Sequence, residues 1–282
     1  MNLTEWCDKW LEIYKEGNVK ENTYNNYKYA VVLIKRSITD KKIADITEID
    51  LQILLKKLYK DDYSKSTIRL VKIALNQIFR KAIKYSLVTD NPAEELFVPL
   101  NAKEKKVNGL SLEDEIKVIG ACKKTLHGDF LLFLLYTGLR KQEMFDLKWE
   151  HFNNEKGFLA IINSKTKKGI RVIPLTKTSI DIINGQPRYN EYIFNSIRKT
   201  PITKTVMRRL SERVSEASGV KVTPHICRHT FATRLYNNNA DLKSLSEIMG
   251  HTSVNFTIQR YVSSDIKMMQ KTIQLIEKVA AE

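Results

Sequence analysis

The sequence predicts a mainly α-helical protein with one small antiparallel β-sheet, an all-α N-terminal domain at residues 1–100 and a mixed α+β domain at 110–282. Three features lead to this. Apolar residues recur at three- and four-residue spacing through the first hundred positions, the period of an amphipathic helix. Residues 101–109, Asn-Ala-Lys-Glu-Lys-Lys-Val-Asn-Gly, are polar, charged and without period, as an interdomain linker is. Residues 158–162 and 170–175 are two short apolar runs around a lysine-rich turn ending in Gly169, the pattern of a hairpin.

Taken in order, Leu3, Trp6, Trp10, Ile13 and Tyr14 line one face of a first helix. Asn22 is the expected cap of a second, with Tyr27, Val31 and Ile34 inside. Thr47 caps a third, carrying Leu51, Leu54, Leu55 and Leu58, and Ser64 caps a fourth that runs to about residue 85 before Asn91-Pro92. Past the linker, Ser111 caps a helix with Ile116, Val118 and Ile119 as its apolar positions. Residues 130–136 form a buried helix broken by Gly138, and Leu139-Arg140 opens the next. After the hairpin, Thr176 restarts helix. A helix near 202–217 carries Lys204, Arg208, Arg209 and Arg213 as a basic stripe. Thr223 is an N-cap, and Pro224 suits the first helical position because the N–H it lacks would be unpaired there. That helix stops in Asn237-Asn238-Asn239. Asp241 caps another, with Leu242, Leu245, Ile248 and Met249 on its apolar face and Gly250 as its left-handed terminator. Asp265 caps a last helix, residues 265–282, with Ile266, Met269, Ile273 and Ile276 as a seam.

The 282 residues have room for one large or two ordinary domains, each able to bury a core, and 43% hydrophobic content excludes a disordered chain. Net charge is +15 and the pI near 9.5, which points to a polyanionic partner. The excess is uneven: residues 101–282 hold 30 Lys and Arg against 18 Asp and Glu, an excess of +12, leaving +3 for the first hundred. Three cysteines, without disulfide or zinc-ribbon spacing, point to a reducing cytoplasm. The N-terminus does not read as a signal peptide, and the longest apolar run, 130–136, is too short to span a bilayer.

Residues 225–261 concentrate the chemistry. Three of the five histidines (His225, His229, His251) lie here with Arg228, Arg260 and Tyr261. His225, Arg228 and His229 are spaced i, i+3, i+4 and share a helix face. Arginine grips phosphate oxygens in a bidentate fork, histidine moves protons near neutral pH, and tyrosine can serve as a covalent nucleophile. Together they point to chemistry on a phosphate. No carboxylate cluster stands here to hold a metal. A zinc site from His225, His229, His251 and Cys227 is disfavoured, because Cys227 points away from the histidine face and Arg228 would place a cation beside the metal.

The run His225-Ile-Cys-Arg228-His229-Thr-Phe-Ala-Thr233, then Met249-Gly-His251, then Tyr261 ten residues on, resembles the tyrosine recombinases, the phage integrase family. Tyr136-Thr-Gly138-Leu-Arg140-Lys-Gln-Glu143 matches a further family motif, and the hairpin supplies a lysine, Lys165, in a Ser-Lys-Thr setting with Lys167 and Lys168 as neighbouring alternatives. Thr23-Tyr-Asn-Asn-Tyr27 and Lys65-Ser-Thr67-Ile-Arg69 are similar to the family's core-binding domain.

The resemblance implies a DNA strand-exchange enzyme with a core-binding domain at 1–100 and a catalytic domain at 110–282, clamping opposite faces of a duplex. Tyr261 would attack a phosphodiester to give a 3′-phosphotyrosyl bond and a free 5′-hydroxyl, with neither ATP nor metal required. Arg140 and Arg228 would clamp the non-bridging oxygens, Lys165 would protonate the leaving oxygen, and His225 would take the phenol proton. His251 would hydrogen-bond the phosphate, and Glu143 would hold the basic groups in place. Lys65, Arg69, Lys167, Lys168, Lys204, Arg208 and Arg209 are the candidate DNA contacts. Four protomers would pair two sites through a Holliday junction, the C-terminal helix docking on a neighbour. The start directly at a core-binding-like domain favours a simple recombinase or a trimmed integrase. A non-catalytic DNA binder and a type IB topoisomerase-like nicking–closing enzyme are the alternatives.

Overall fold

In the computed structural model, which describes residues 1–38, 40–104, 108–162 and 170–250, the chain separates into two units, Met1–Lys106 and Val107–Glu282, each with its own apolar core. The lysine turn of the hairpin, His251, Tyr261 and the expected helix at 265–282 lie outside the described residues.

Among the described residues the first unit has four α-helices and a 3-10 turn at Ile43–Asp45. α1 (Leu3–Tyr14) buries Leu3, Trp6, Cys7, Trp10 and Leu11, while Ile13, expected inside, is exposed at the helix's far edge. The Trp6 indole N–H donates to the Ile78 carbonyl at 3.1 Å, so its one polar atom is satisfied within the core. α2 (Glu21–Ser37) starts from Lys20 without a side-chain cap, so Asn22 lies within the helix instead of capping it. α3 (Glu48–Lys60) has the expected cap: the Asp50 N–H donates to Thr47 Oγ1 at 3.2 Å, and the Thr47 N–H to Asp50 Oδ2 at 3.0 Å. Ser64 caps α4 (Lys65–Lys84), which buries Ile68, Val71, Leu75, Ile78 and Phe79. α4 stops before Asn91-Pro92, as Ser86 turns left-handed at φ 55°. Part of the expected linker belongs to this unit: Ala102 is buried in its core, and the Lys103 carbonyl accepts from the Lys65 N–H at 2.9 Å.

The second unit is built around α6 (Asp129–Thr137), whose residues Phe130, Leu131, Leu132, Phe133, Leu134 and Leu135 are all buried. A helix apolar on every side must be enclosed, and α5 (Leu112–Lys124), α8 (Lys177–Asn184) and α10 (Pro224–Asn237) pack on it. Phe130 and Phe133 meet Phe194 with ring centroids 5.1 and 4.8 Å apart. α5 is rotated from the expected phase: Ile116 is exposed and Glu115 is buried, held by Arg234 of α10 at 2.5 Å. α9 (Lys204–Ser218) packs on α5, and α11 (Leu242–Met249) follows α10. A short helix, α7 (Lys141–Phe145), leads into a three-stranded antiparallel sheet in the order β1 (Phe152–Asn153), β2 (Phe158–Ile161), β3 (Arg171–Pro174). The register pairs Leu159 with Ile173 and Ile161 with Arg171. No helix among the described residues is long and apolar enough to cross a membrane.

Candidate active site

Two helices end on the site, each in a left-handed glycine. α6 terminates at Gly138 (φ 64°) and α11 at Gly250 (φ 61°). A side chain is strained at both: the backbone is left-handed, a Cβ at 138 would lie 2.3 Å from the Phe231 ring, and one at 250 would lie 2.8 Å from Arg171 Nη1, so those side chains would have to shift. The last carbonyls of a helix lack intrahelical donors and form the negative end of its dipole. Cations are therefore drawn to them. Arg228, buried on α10, donates from Nη1 to the Gly138 carbonyl at 2.6 Å and from Nη2 to the Met249 carbonyl at 2.5 Å. Arg140, which follows Gly138 by two residues, donates from Nη2 to the Gly250 carbonyl at 2.8 Å. Both arginines thus hold the end of α11, and Arg228 also bridges to the end of α6, so one fixed frame of backbone holds both.

Glu143 is the anionic counterpart. Its side chain is 4% exposed, unlike that of an ordinary surface glutamate. Oε1 accepts from Arg140 Nη1 at 2.7 Å and from Arg171 Nη1 at 3.0 Å. Oε2 accepts from the Arg140 N–H at 2.8 Å and from Arg171 Nη2 at 3.0 Å. Burial on its own would push this carboxyl's pKa up. The hydrogen bonds and charge of Arg171, with those of Arg140, outweigh it and hold the pKa below the usual value, so Glu143 stays ionised.

Arg171 was not among the residues the sequence singled out. One signal was available, since it shares a strand face with buried Ile173, two residues on, and a charge on that face requires a partner.

Thr223 caps α10 as expected, accepting from the Ile226 N–H at 3.2 Å, and Pro224 occupies the first turn. This sets His225 exposed and His229 buried on the next turn, their rings edge to face at 4.9 Å. Cys227 is fully buried in the apolar core, where burial pushes its thiol pKa up. Arg140, Glu143, Arg228 and α10's histidines thus belong to one unit, while Lys165, Lys167, Lys168, His251 and Tyr261 lie outside the described residues.

Of the other candidate contacts, Lys65 pairs with Glu104 at 2.8 Å, and Arg69 is exposed one turn further along α4. Lys204, Arg208 and Arg209 are exposed on α9. Lys204 and Arg208 line a groove of about 550 Å³ together with Lys141, Lys221, Thr223 and Pro224, and Arg208 is also paired with Glu212 at 2.6 Å. Arg209 does not line it.

Residues 103–268 match the phage integrase family, and residues 2–59 match the SAM-like N-terminal domain of phage integrases. The chain is 33% identical over 237 residues to the tyrosine recombinase XerA of Pyrococcus horikoshii, covering 80% of each sequence. Its fold is similar to that of the Tn1549 transposon integrase in complex with a circular intermediate DNA: the TM-score is 0.79 at 22% identity, over 98% of this chain and 99% of that one. It is also similar to a λ integrase tetramer bound to a Holliday junction, with a TM-score of 0.74 at 23% identity over 94% and 81%. The chain belongs to the phage integrase family, the tyrosine recombinases, which break and rejoin DNA.

Proposed function

We propose that this chain is a site-specific recombinase or integrase that exchanges DNA strands through a 3′-phosphotyrosyl intermediate and a Holliday junction. The observation that carries the reading is the pair Arg140 and Arg228, held on the carbonyl ends of α11 and α6. A carbonyl end takes part of a guanidinium's hydrogen-bonding capacity without supplying a full counter-charge. Both guanidinium groups are thereby fixed in place, and fixed guanidinium groups favour the equatorial oxygens of a pentacoordinate phosphorus, where charge builds up in the transition state.

In the proposed step the Tyr261 oxygen bonds to phosphorus as its proton passes to His225. The bond from phosphorus to the 5′-oxygen breaks, and Lys165 gives that oxygen a proton. His251 hydrogen-bonds the phosphate, and Glu143 orients the guanidinium groups. The phosphotyrosyl ester is close in energy to the diester it replaces, so a second 5′-hydroxyl reverses the step on a partner strand without ATP or metal.

Residues 1–100 serve as the core-binding domain and residues 110–282 as the catalytic domain, joined through 101–109. Four protomers assemble on two sites, in the cytoplasm, as part of a mobile element or a resolution system. The test uses two duplexes of different length that carry the same binding site. Four-way junctions and recombinant duplexes that appear only when both are present support recombination. Relaxation of supercoiled plasmid without any recombinant product would favour a nicking–closing enzyme, and site-specific binding without a covalent adduct would favour a DNA-binding protein.

A further inference from the structure

Among the described residues Glu143 has two cations in reach, and they are not used alike. Arg171 gives it a fork, Nη1 to Oε1 and Nη2 to Oε2, both at 3.0 Å. Arg140 gives its side chain to Oε1 alone and turns its other terminal nitrogen to the Gly250 carbonyl. Their surroundings differ in the same sense. The Arg171 side chain is 7% exposed, its Nε donates to the Ile248 carbonyl at 2.7 Å, and its guanidinium lies against Gly250. The Arg140 side chain is 41% exposed.

A carboxylate is neutralised most fully by the arginine that holds both of its oxygens. We propose that Arg171 is a positioning residue that occupies the Glu143 carboxylate, so that Glu143 orients Arg140 without cancelling its charge. This rests on the reading of Arg140 as a phosphate clamp. Without Arg171, Arg140 is the cation left to the buried carboxylate among the described residues, and the favourable response is for it to take Arg140 in a fork. Arg140 would then meet the phosphate as half of a neutral pair. Three carbonyls in succession, those of Ile248, Met249 and Gly250, accept from Arg171, Arg228 and Arg140. Arg171 therefore also steadies the helix end on which both clamps hang.

Loss of Arg171 then does its harm through Glu143, which loss of a purely structural residue would not. The test measures single-turnover covalent adduct formation on duplexes selected from a randomised pool by binding to the wild-type chain and then nicked at successive positions. Wild type, Arg171→Met, Glu143→Gln and the double variant are compared, with duplex affinity and thermal melting measured alongside. Arg171→Met is expected to slow adduct formation by roughly tenfold or more with duplex affinity little changed. Adding Glu143→Gln, which removes the charge that captures Arg140, is expected to raise the rate to that of Glu143→Gln alone. A double variant no faster than Arg171→Met overturns the proposal. Should Arg171→Met fail to fold, Arg171→Lys replaces it: it keeps a buried cation but gives up the fork, and its slower reaction must again be relieved by Glu143→Gln. If wild type forms no adduct on any of these duplexes, the clamp reading itself fails and the proposal falls with it. A wild-type adduct without the relief overturns the proposal alone.

Discussion

Arg228 spends two of its donors on backbone carbonyls, which makes its position a property of two helix ends as much as of its own side chain. Lysine has a single ammonium and cannot bridge both, so Arg228→Lys and Arg140→Lys should each lower the cleavage rate by roughly 10²–10³-fold. Duplex affinity should change far less in both, which a filter-binding titration beside a single-turnover assay would check. Gly138→Ala should destabilise the protein by about 2–4 kcal/mol in a denaturant melt, from the left-handed backbone and the collision with Phe231 together. At this scale the motifs were legible: Arg140, Glu143 and Arg228 stand in patterned surroundings, and the structure brings them together. Arg171 was not, because an arginine in a short strand reads as a solvated charge until its facing partner is known. That partner lies 28 residues back, on another element.

Helix boundaries were read well where a side chain caps them and less well where only the backbone does. Thr47, Ser64, Ser111, Thr176, Thr223 and Asp241 each accept a first-turn N–H. α2 starts at Lys20 with no such bond, so its boundary left no local signature. α5 was misphased for a different reason. Glu115 is inside and Ile116 outside because Arg234, from α10, compensates the carboxylate, and a distant partner does not show in local periodicity.

The cap of α3 gives a pH prediction. The Lys41 hydrogen bond, with the Thr47 N–H and hydroxyl, holds the Asp50 pKa down at about 2. The unfolded value is near 3.9. A carboxyl depressed on folding stabilises above its unfolded pKa, and that stability is lost as pH falls through the folded one. Acid titration of the melting temperature should therefore show a loss between about pH 4 and 2, and Asp50→Asn should remove part of it. Thr47→Ala should cost about 1 kcal/mol at neutral pH.

Across the whole molecule, charge is the most legible property and geometry the least. The +12 excess of residues 101–282 predicts duplex binding that weakens steeply with salt. Lys204→Gln should reduce the log–log salt slope by about one, nearly alike for all sequences, as a phosphate contact does. Arg208→Gln should do less, since Glu212 already holds Arg208. The two units divide between Lys106 and Val107, within the polar stretch at 101–109; Ala102 and Lys103 join the first unit and the Leu110 N–H donates to Thr230 Oγ1 in the second at 2.8 Å. A charged composition did not disclose those packed ends.

In the proposed reaction Tyr261 forms a covalent bond with DNA in a site clamped by Arg140 and Arg228. The measurement that tests it most directly is denaturing electrophoresis of the wild-type chain and Tyr261→Phe after incubation with nicked, binding-selected duplexes, followed by mass spectrometry of the trapped peptide. The account predicts a protein–DNA band that is absent in Tyr261→Phe, with the DNA mapped to the peptide containing Tyr261. An equal band in the variant, or DNA attached to another residue, would contradict it.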